Sequence, residues 1–321
     1  MTLAEKAAAG DRLSLARLLT MIESAVPQGL DALDELYPKS GRAHLIGITG
    51  PSGSGKSTLV NRLSLALAGE PSTEKKVAII AVDPTSPFSG GALLGDRVRM
   101  RDLADRPDIF IRSMATRGAL GGLARAAGEA ALLMDAVGFP YVLIETVGAG
   151  QSEVDIARLA HTTLVIEAPG LGDDVQAGKA GILEVADILV VNKCDKTGAD
   201  AAAHSLAVML EIGEDLRKEA GDPGTVKWKT PILMTSALNG EGITALADTI
   251  RAHHEYLSES GDGEKRSQAR ALDMLERLIR ERLFSAWQDE GEQEHYQQAK
   301  MDVIQRKLSP RKAVNKLFSQ V

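Results

Sequence analysis

The sequence predicts an α/β protein: a doubly wound, mostly parallel sheet with helical extensions at both ends. Three observations predict it. Short aliphatic runs alternate with helical stretches between residues 43 and 257, the pattern of successive βαβ units. Aromatic residues make up only 3% of the chain against 44% apolar, so the core must be aliphatic and alanine-rich, which suits strands covered by helices on both faces. Gly50-Pro51-Ser52-Gly53-Ser54-Gly55-Lys56-Ser57 matches G-x-x-x-x-G-K-[ST], and it falls between a predicted strand and a predicted helix, the order that a phosphate-binding P-loop requires.

Taken in order, residues 3–25 place Leu13, Leu15, Leu18, Leu19 and Ile22 on one helical stripe. Pro27, Gly29, Pro38 and Gly41 make residues 26–42 read as a linker that interrupts helix. Strands are expected at Ala43–Thr49, Lys76–Val82, Ile109–Arg112, Tyr141–Glu145, Thr162–Glu167, Ile188–Asn192 and Pro231–Thr235. Helices are expected at 57–68 and near 121–137, 153–160, 175–185, 199–219 and 241–257. The polar run 258–267 (SESGDGEKRS) reads as a flexible connector. Beyond it, Leu272, Leu275, Ile279, Leu283 and Ala286 mark one face of a long charged helix, and Val303, Ile304, Leu308, Val314, Leu317 and Phe318 mark a second amphipathic stretch. These helices either cap the main domain or form a dimerisation arm. The expected domains are 1–42, 43–257 and 258–321.

The net charge of −7 disfavours a nucleic-acid footprint, and no run of 18 or more apolar residues suggests a membrane span. The single cysteine, Cys194, rules out an internal disulfide framework and fits a reducing compartment, so the cytoplasm is the expected location.

The chemistry begins at the P-loop. Its glycines let backbone N–H groups wrap phosphates, and the following helix N-terminus adds positive potential. Lys56 is placed to reach the β- and γ-phosphates and the Ser57 hydroxyl to ligate Mg²⁺; Gly50 to Thr58 form the cradle. Asn192-Lys193-Cys194-Asp195 ends the apolar run DILVVNKCD and matches N-K-x-D. A carboxylate at Asp195 accepts from the ring N–H and exocyclic amine of guanine, an arrangement adenine does not offer. Asn192 braces the loop and the Lys193 stem covers the ring. Ser236-Ala237-Leu238 follows the last strand and brings backbone N–H groups to the guanine oxygen. GTP, with GDP as product, is therefore the expected nucleotide.

On the metal side, the strand YVLIE runs into Glu145-Thr146-Val147-Gly148 where most GTPases carry D-x-x-G. Glu145 can hold Mg²⁺ through a water, and the Gly148 N–H can sense the γ-phosphate. The nearest glutamine is Gln151 rather than the residue after Gly148, so slow intrinsic hydrolysis is expected. Asp83 and Asp96 are two further Mg²⁺-side carboxylate candidates; each alone has a second reading as a loop or helix-capping acid, and with Glu145 they read together as a metal site with switch behaviour.

GITGPSGSGKST, AVDPTSPFSGGALLGDRVRM, RGALGGLA, ETVGAGQSE, APGLGDDVQAGKAGILEVAD and NKCD together resemble the MeaB/ArgK (MMAA) family, GTPase chaperones of adenosylcobalamin-dependent acyl-CoA mutases. The resemblance runs from about residue 10 into the C-terminal helices. It implies a homodimeric SIMIBI-class G domain with an N-terminal helical extension and a C-terminal dimerisation arm. It also implies GTP hydrolysis coupled to cofactor loading, or to expulsion of damaged cofactor, on a mutase. By motif match Ser57, Asp83, Asp96 and Glu145 fall on the family's Mg²⁺ region and Gly170–Lys179 on an extra switch. Lys179 matches a lysine that can approach nucleotide and reads equally as a solvated helix lysine; Arg99 is a further switch candidate. The loop start carries Pro51-Ser52 and lacks the extra lysine of some SIMIBI relatives, so activation is expected from the mutase or a rearranged dimer.

Two other classes share the P-loop. A metal-delivery GTPase needs soft or imidazole ligands, and this chain has one Cys, six His and no C-x-x-C; the adjacent pair His253-His254 reads as helix surface or satisfied core. A kinase of an amino-acid (lysine/arginine/ornithine) transport system remains open on sequence alone.

Overall fold

The computed structural model describes residues 1–69, 76–83, 100–103, 105–115, 122–146, 152–171, 185–219, 228–289 and 293–318. Seven strands form one sheet: β1 His44–Thr49, β2 Val77–Asp83, β3 Ile109–Ala115, β4 Tyr141–Glu145, β5 Thr162–Glu167, β6 Ile188–Asn192 and β7 Ile232–Thr235. Their order is β3-β2-β4-β1-β5-β6-β7, and every pair is parallel. After β1 the chain fills one side of the sheet, returns to β4 beside β1, then fills the other side. The carboxyl end of β1 is thus the switch point, where open α/β sheets form their ligand crevice.

Each strand divides its side chains between two cores, as a period of two requires. On β2, Ala78, Ile80 and Val82 enter one cluster while Val77 and Ile79 enter the other. The first cluster is covered by α1 Leu3–Ala8, α2 Arg12–Glu23, α3 Pro27–Leu36, α5 Gly122–Ala136 and α6 Ser152–Leu159. The second is covered by α4 Lys56–Ala68 and α8 Ile243–Ser260. A smaller cluster packs α7 Ala199–Glu219 on β5 and β6 through Val165, Leu189, Val191 and Leu206.

Two predicted connectors are helical. Residues 27–36 form α3 because Pro27 stands at its first position, where a missing N–H costs nothing and φ is already helical. Leu33 and Leu36 of α3 are buried. Residues 258–267 are also helix, apart from one break. Helix α8 runs on to Ser260, Gly261 takes φ +72° as its cap, and α9 Asp262–Asp289 begins at once with Asp262 and Glu264 in its first turn. The expected helix at 175–185 lies almost wholly outside the described residues.

The chain divides into two compact units, Met1–Ser267 and Gln268–Val321. In the second, α10 Gln293–Ile304 and α11 Pro310–Phe318 pack together through Ala299, Ala313 and Leu317, with Trp287 and Tyr296 edge to face beside them. Leu272, Leu275, Ile279 and Leu283 of α9 are exposed.

Within the first unit, the amino ends of the strands carry a buried polar chain. The Thr162 hydroxyl lies 2.6 Å from His44 Nε2 and 2.7 Å from His253 Nδ1, and all three residues are buried. One hydroxyl proton serves only one ring, so at least one of the two imidazoles donates its N–H to the Thr162 oxygen. His253 Nε2 is 3.5 Å from Asp187, which also receives two bonds from the Arg266 guanidinium. His253 is therefore buried core, hydrogen-bonded through Nδ1 and facing Asp187 through Nε2, and His254 stacks on the His44 ring at 4.3 Å. Burial pushes the His253 pKa down from 6.5 to about 4, against the opposing pull of Asp187.

Candidate functional site

At the opposite, carboxyl end, β1 leads through Thr49 into the loop 50–55 and then α4. Gly50 and Gly55 are demanded by geometry. A Cβ on Gly50 would lie 2.1 Å from the Ile166 carbonyl oxygen, and one on Gly55 would lie 2.5 Å from Asn192 Nδ2, with φ at +139° and +90°. The first-turn N–H groups of a helix have no acceptor within the helix, and Gly55 offers no capping side chain, so the start of α4 presents positive potential towards the loop.

Lys56 is buried, and its ammonium donates to the Gly50 and Pro51 carbonyls at 2.8 and 3.0 Å. A cation held on backbone carbonyls beside a helix N-terminus can be transferred to a phosphate without crossing an apolar layer. The Ser57 hydroxyl donates to Glu145 Oε1 at 2.7 Å, and both residues are buried. This pair brings together two hard oxygen donors from α4 and the end of β4, a donor set suited to Mg²⁺. Thr58 is exposed at the first turn of α4.

The residues expected to read the base converge on the same loop. Asn192, buried at the end of β6, donates to the Ser54 carbonyl at 2.8 Å and accepts from the Ala237 N–H at 3.1 Å and the Thr235 hydroxyl at 3.2 Å. One amide thus ties the P-loop to the loop after β7. Lys193, with φ +60°, donates to the Gly53 carbonyl at 2.7 Å, which lays its stem along the loop. Asp195 is exposed, and the Ser236 hydroxyl donates to it at 2.6 Å; that bond holds its carboxyl below the usual carboxylate range. Cys194 faces inward, and burial, followed by the Glu241 charge, raises its thiol pKa, so it is not a reactive thiolate. Of the three N–H groups expected at the guanine oxygen, that of Ser236 donates to the Glu241 carbonyl and that of Ala237 to Asn192. Only that of Leu238 has no acceptor among the described residues, and the Leu238 side chain is 74% exposed.

Asp83 ends β2, on the far side of β4 from the P-loop strand. Asp96, Arg99, Gly148 and Lys179 lie outside the described residues, as does most of 170–179.

Two features went unread in the sequence. Thr146, directly after Glu145, donates through its backbone N–H to the Ile48 carbonyl at 3.1 Å and through its hydroxyl to Thr49 at 3.1 Å. This buried strut links the end of β4 to the root of the P-loop. Glu167 is a buried carboxylate ending β5, the strand between the P-loop strand and Asn192. An acid closing a buried run at the carboxyl end of a parallel strand was the available signal.

The family model described as methylmalonyl-CoA mutase-associated GTPase MeaB matches residues 15–292. A relative from Pyrococcus abyssi is 44% identical over 277 residues, covering 86% of this chain and 83% of its own. The GTPase ArgK of Escherichia coli K12 is 35% identical over 316 residues, covering 96% and 92%. A solved structure described as an LAO/AO transport system kinase superposes with a TM-score of 0.69 at 27% identity, covering 99% of this chain and 97% of that one. With a P-loop and an N-K-x-D loop joined by Asn192 on a parallel sheet, and with these relatives, the chain belongs to the MeaB family and is a GTPase.

Proposed function

We propose that this chain is a guanine-nucleotide switch that gates loading, protection or reactivation of adenosylcobalamin on an acyl-CoA mutase, with methylmalonyl-CoA mutase as the enzyme served. The observation that carries the reading is the Asn192 bridge, which makes the base reader and the phosphate cradle one unit, set in a chain of the mutase-associated family. Residues Gly50–Thr58 take the phosphates, and Lys56 leaves the Gly50 and Pro51 carbonyls for the β- and γ-phosphates. Asp195, braced by Ser236, reads the guanine edge, while the Lys193 stem and the Ala237–Leu238 segment border the ring. Ser57 and Glu145 would hold Mg²⁺, with Asp83 and Asp96 as further carboxylates; a divalent cation there would supply neutralisation of charge developing on the phosphates. Gly148 is assigned to the γ-phosphate and Lys179 to the approach of the nucleotide on motif alone.

The family reading also gives residues 1–42, 43–257 and 258–321 as helical extension, G domain and arm, and a cytoplasmic homodimer without nucleic-acid or membrane partners. The exposed leucines of α9 support self-association, since their spacing forms one apolar face that a second copy can cover. Sedimentation is expected to give twice the chain mass; a monomer at micromolar concentration would contradict the arm.

The direct test is phosphate release from GTP with and without a cobalamin-dependent acyl-CoA mutase. Stimulation is expected, and no stimulation by any such mutase would sink the chaperone reading. One specific observation keeps a second reading in view: the similar solved structure is described as a transport system kinase. Transfer of the γ-phosphate to an amino acid or a protein, instead of to water, would favour it.

A further inference from the structure

Arg62 lies on α4, six residues after Lys56. Its Nε donates to the Ala237 carbonyl at 3.2 Å, and its terminal nitrogen reaches the Leu238 carbonyl at 3.5 Å. The reciprocal contact closes the far end of the helix pair, where Arg251 of α8 donates to the Ala66 carbonyl in the last turn of α4 at 3.1 Å. The phosphate-binding helix is therefore fastened to the loop after β7 from its middle and to the helix that follows that loop from its last turn.

In a trans peptide the carbonyl and the next N–H point in opposite directions. Drawing the Ala237 carbonyl towards α4 aims the Leu238 N–H away from α4, and drawing the Leu238 carbonyl does the same for the Asn239 N–H. Neither N–H has an acceptor among the described residues. The planar fork of an arginine suits this task, because two donors in fixed geometry set two adjacent peptide planes. We infer that Arg62 is a specificity-positioning residue. By holding the Ala237 and Leu238 carbonyls, it turns the amides of this loop towards the carbonyl oxygen of the bound base, so that base readout is set from the phosphate helix. The inference rests on the assignment of guanine to this loop made above.

The test measures binding of GDP, IDP and 6-thio-GDP to the full chain by calorimetry. IDP lacks the exocyclic amine read by Asp195, whereas 6-thio-GDP keeps that amine and the ring N–H but replaces the carbonyl oxygen with a poor acceptor. Arg62→Ala is expected to weaken GDP and IDP about fivefold each, the worth of one ordinary hydrogen bond, and to weaken 6-thio-GDP less. The GDP to 6-thio-GDP preference then contracts while the GDP to IDP preference holds. Arg62→Lys, which keeps one donor, should restore part of the lost preference. An equal loss for all three nucleotides, or no loss, would overturn the assignment, because a purely structural arginine does not distinguish oxygen from sulfur on the base. Failure of the base-site reading itself looks different: Asp195→Asn would then leave the GDP to IDP preference unchanged.

Discussion

The two ends of β1, β5 and β6 make opposite use of polar side chains. At the amino ends His44, Thr162, His253 and Asp187 are buried and, with the half-buried Arg266, bond chiefly to one another. At the carboxyl ends Lys56, Asn192 and Lys193 bond to carbonyls of a glycine loop, and Asp195 is held by a single hydroxyl at the surface. Backbone carbonyls are modest acceptors that a phosphate can replace, whereas a buried carboxylate held by two guanidinium bonds is costly to strip of its partner. One end can exchange partners for a ligand and the other cannot. Parallel sheets place ligands at the carboxyl ends, and here the side-chain bonding makes the same division.

The largest expected break of this contrast comes from Lys56→Ala. It removes the cation proposed to move from the loop carbonyls to phosphate, and GTP turnover should fall roughly 100- to 1,000-fold. Turnover within a few-fold of the unaltered chain would show that the exchangeable end is not the catalytic centre.

The amino end should reveal itself through pH. The folded His253 pKa of about 4 lies below the ordinary 6.5. Between those values the unfolded chain binds the extra proton, so stability falls as pH drops through that window, by about 3 kcal/mol once the pH is below both values. Thermal unfolding from pH 7 to pH 4 should show that slope. His253→Asn, whose amide can either accept from Thr162 or donate to it, should flatten it; an unchanged slope would assign the proton to another group.

The fold was legible wherever burial on both faces imposed continuous aliphatic runs. Tyr141–Glu145, Thr162–Glu167 and Ile188–Asn192 are strands at the predicted residues. Residues 26–42 and 258–267 misled because Pro27 and Gly261 act at helix ends, where they start or stop a helix rather than forbid one. The P-loop and N-K-x-D loop were legible because each is local in sequence. Their joining was not: Asn192 meets Ser54, Arg62 meets Ala237, and His44 meets Thr162 across more than a hundred residues, which only the strand order brings together.

A smaller effect is expected at the strut between the end of β4 and the P-loop. Thr146→Val keeps the shape and removes the hydroxyl bond to Thr49, costing about 1 kcal/mol of nucleotide affinity or stability. Thr146→Ser should recover most of that loss. If valine and serine behave alike, the hydroxyl is not what links the two segments.

The most direct measurement is a base swap at Asp195. Asp195→Asn should weaken GTP by roughly 2–4 kcal/mol, since charged hydrogen bonds to the ring N–H and amine are lost. The same asparagine presents an N–H to the carbonyl that xanthine carries in place of that amine, so xanthosine triphosphate should bind the variant more tightly than it binds the unaltered chain. Loss of GTP with gain of XTP is the predicted result; unchanged GTP affinity, or equal loss of both, would contradict a guanine site at the carboxyl end of β6.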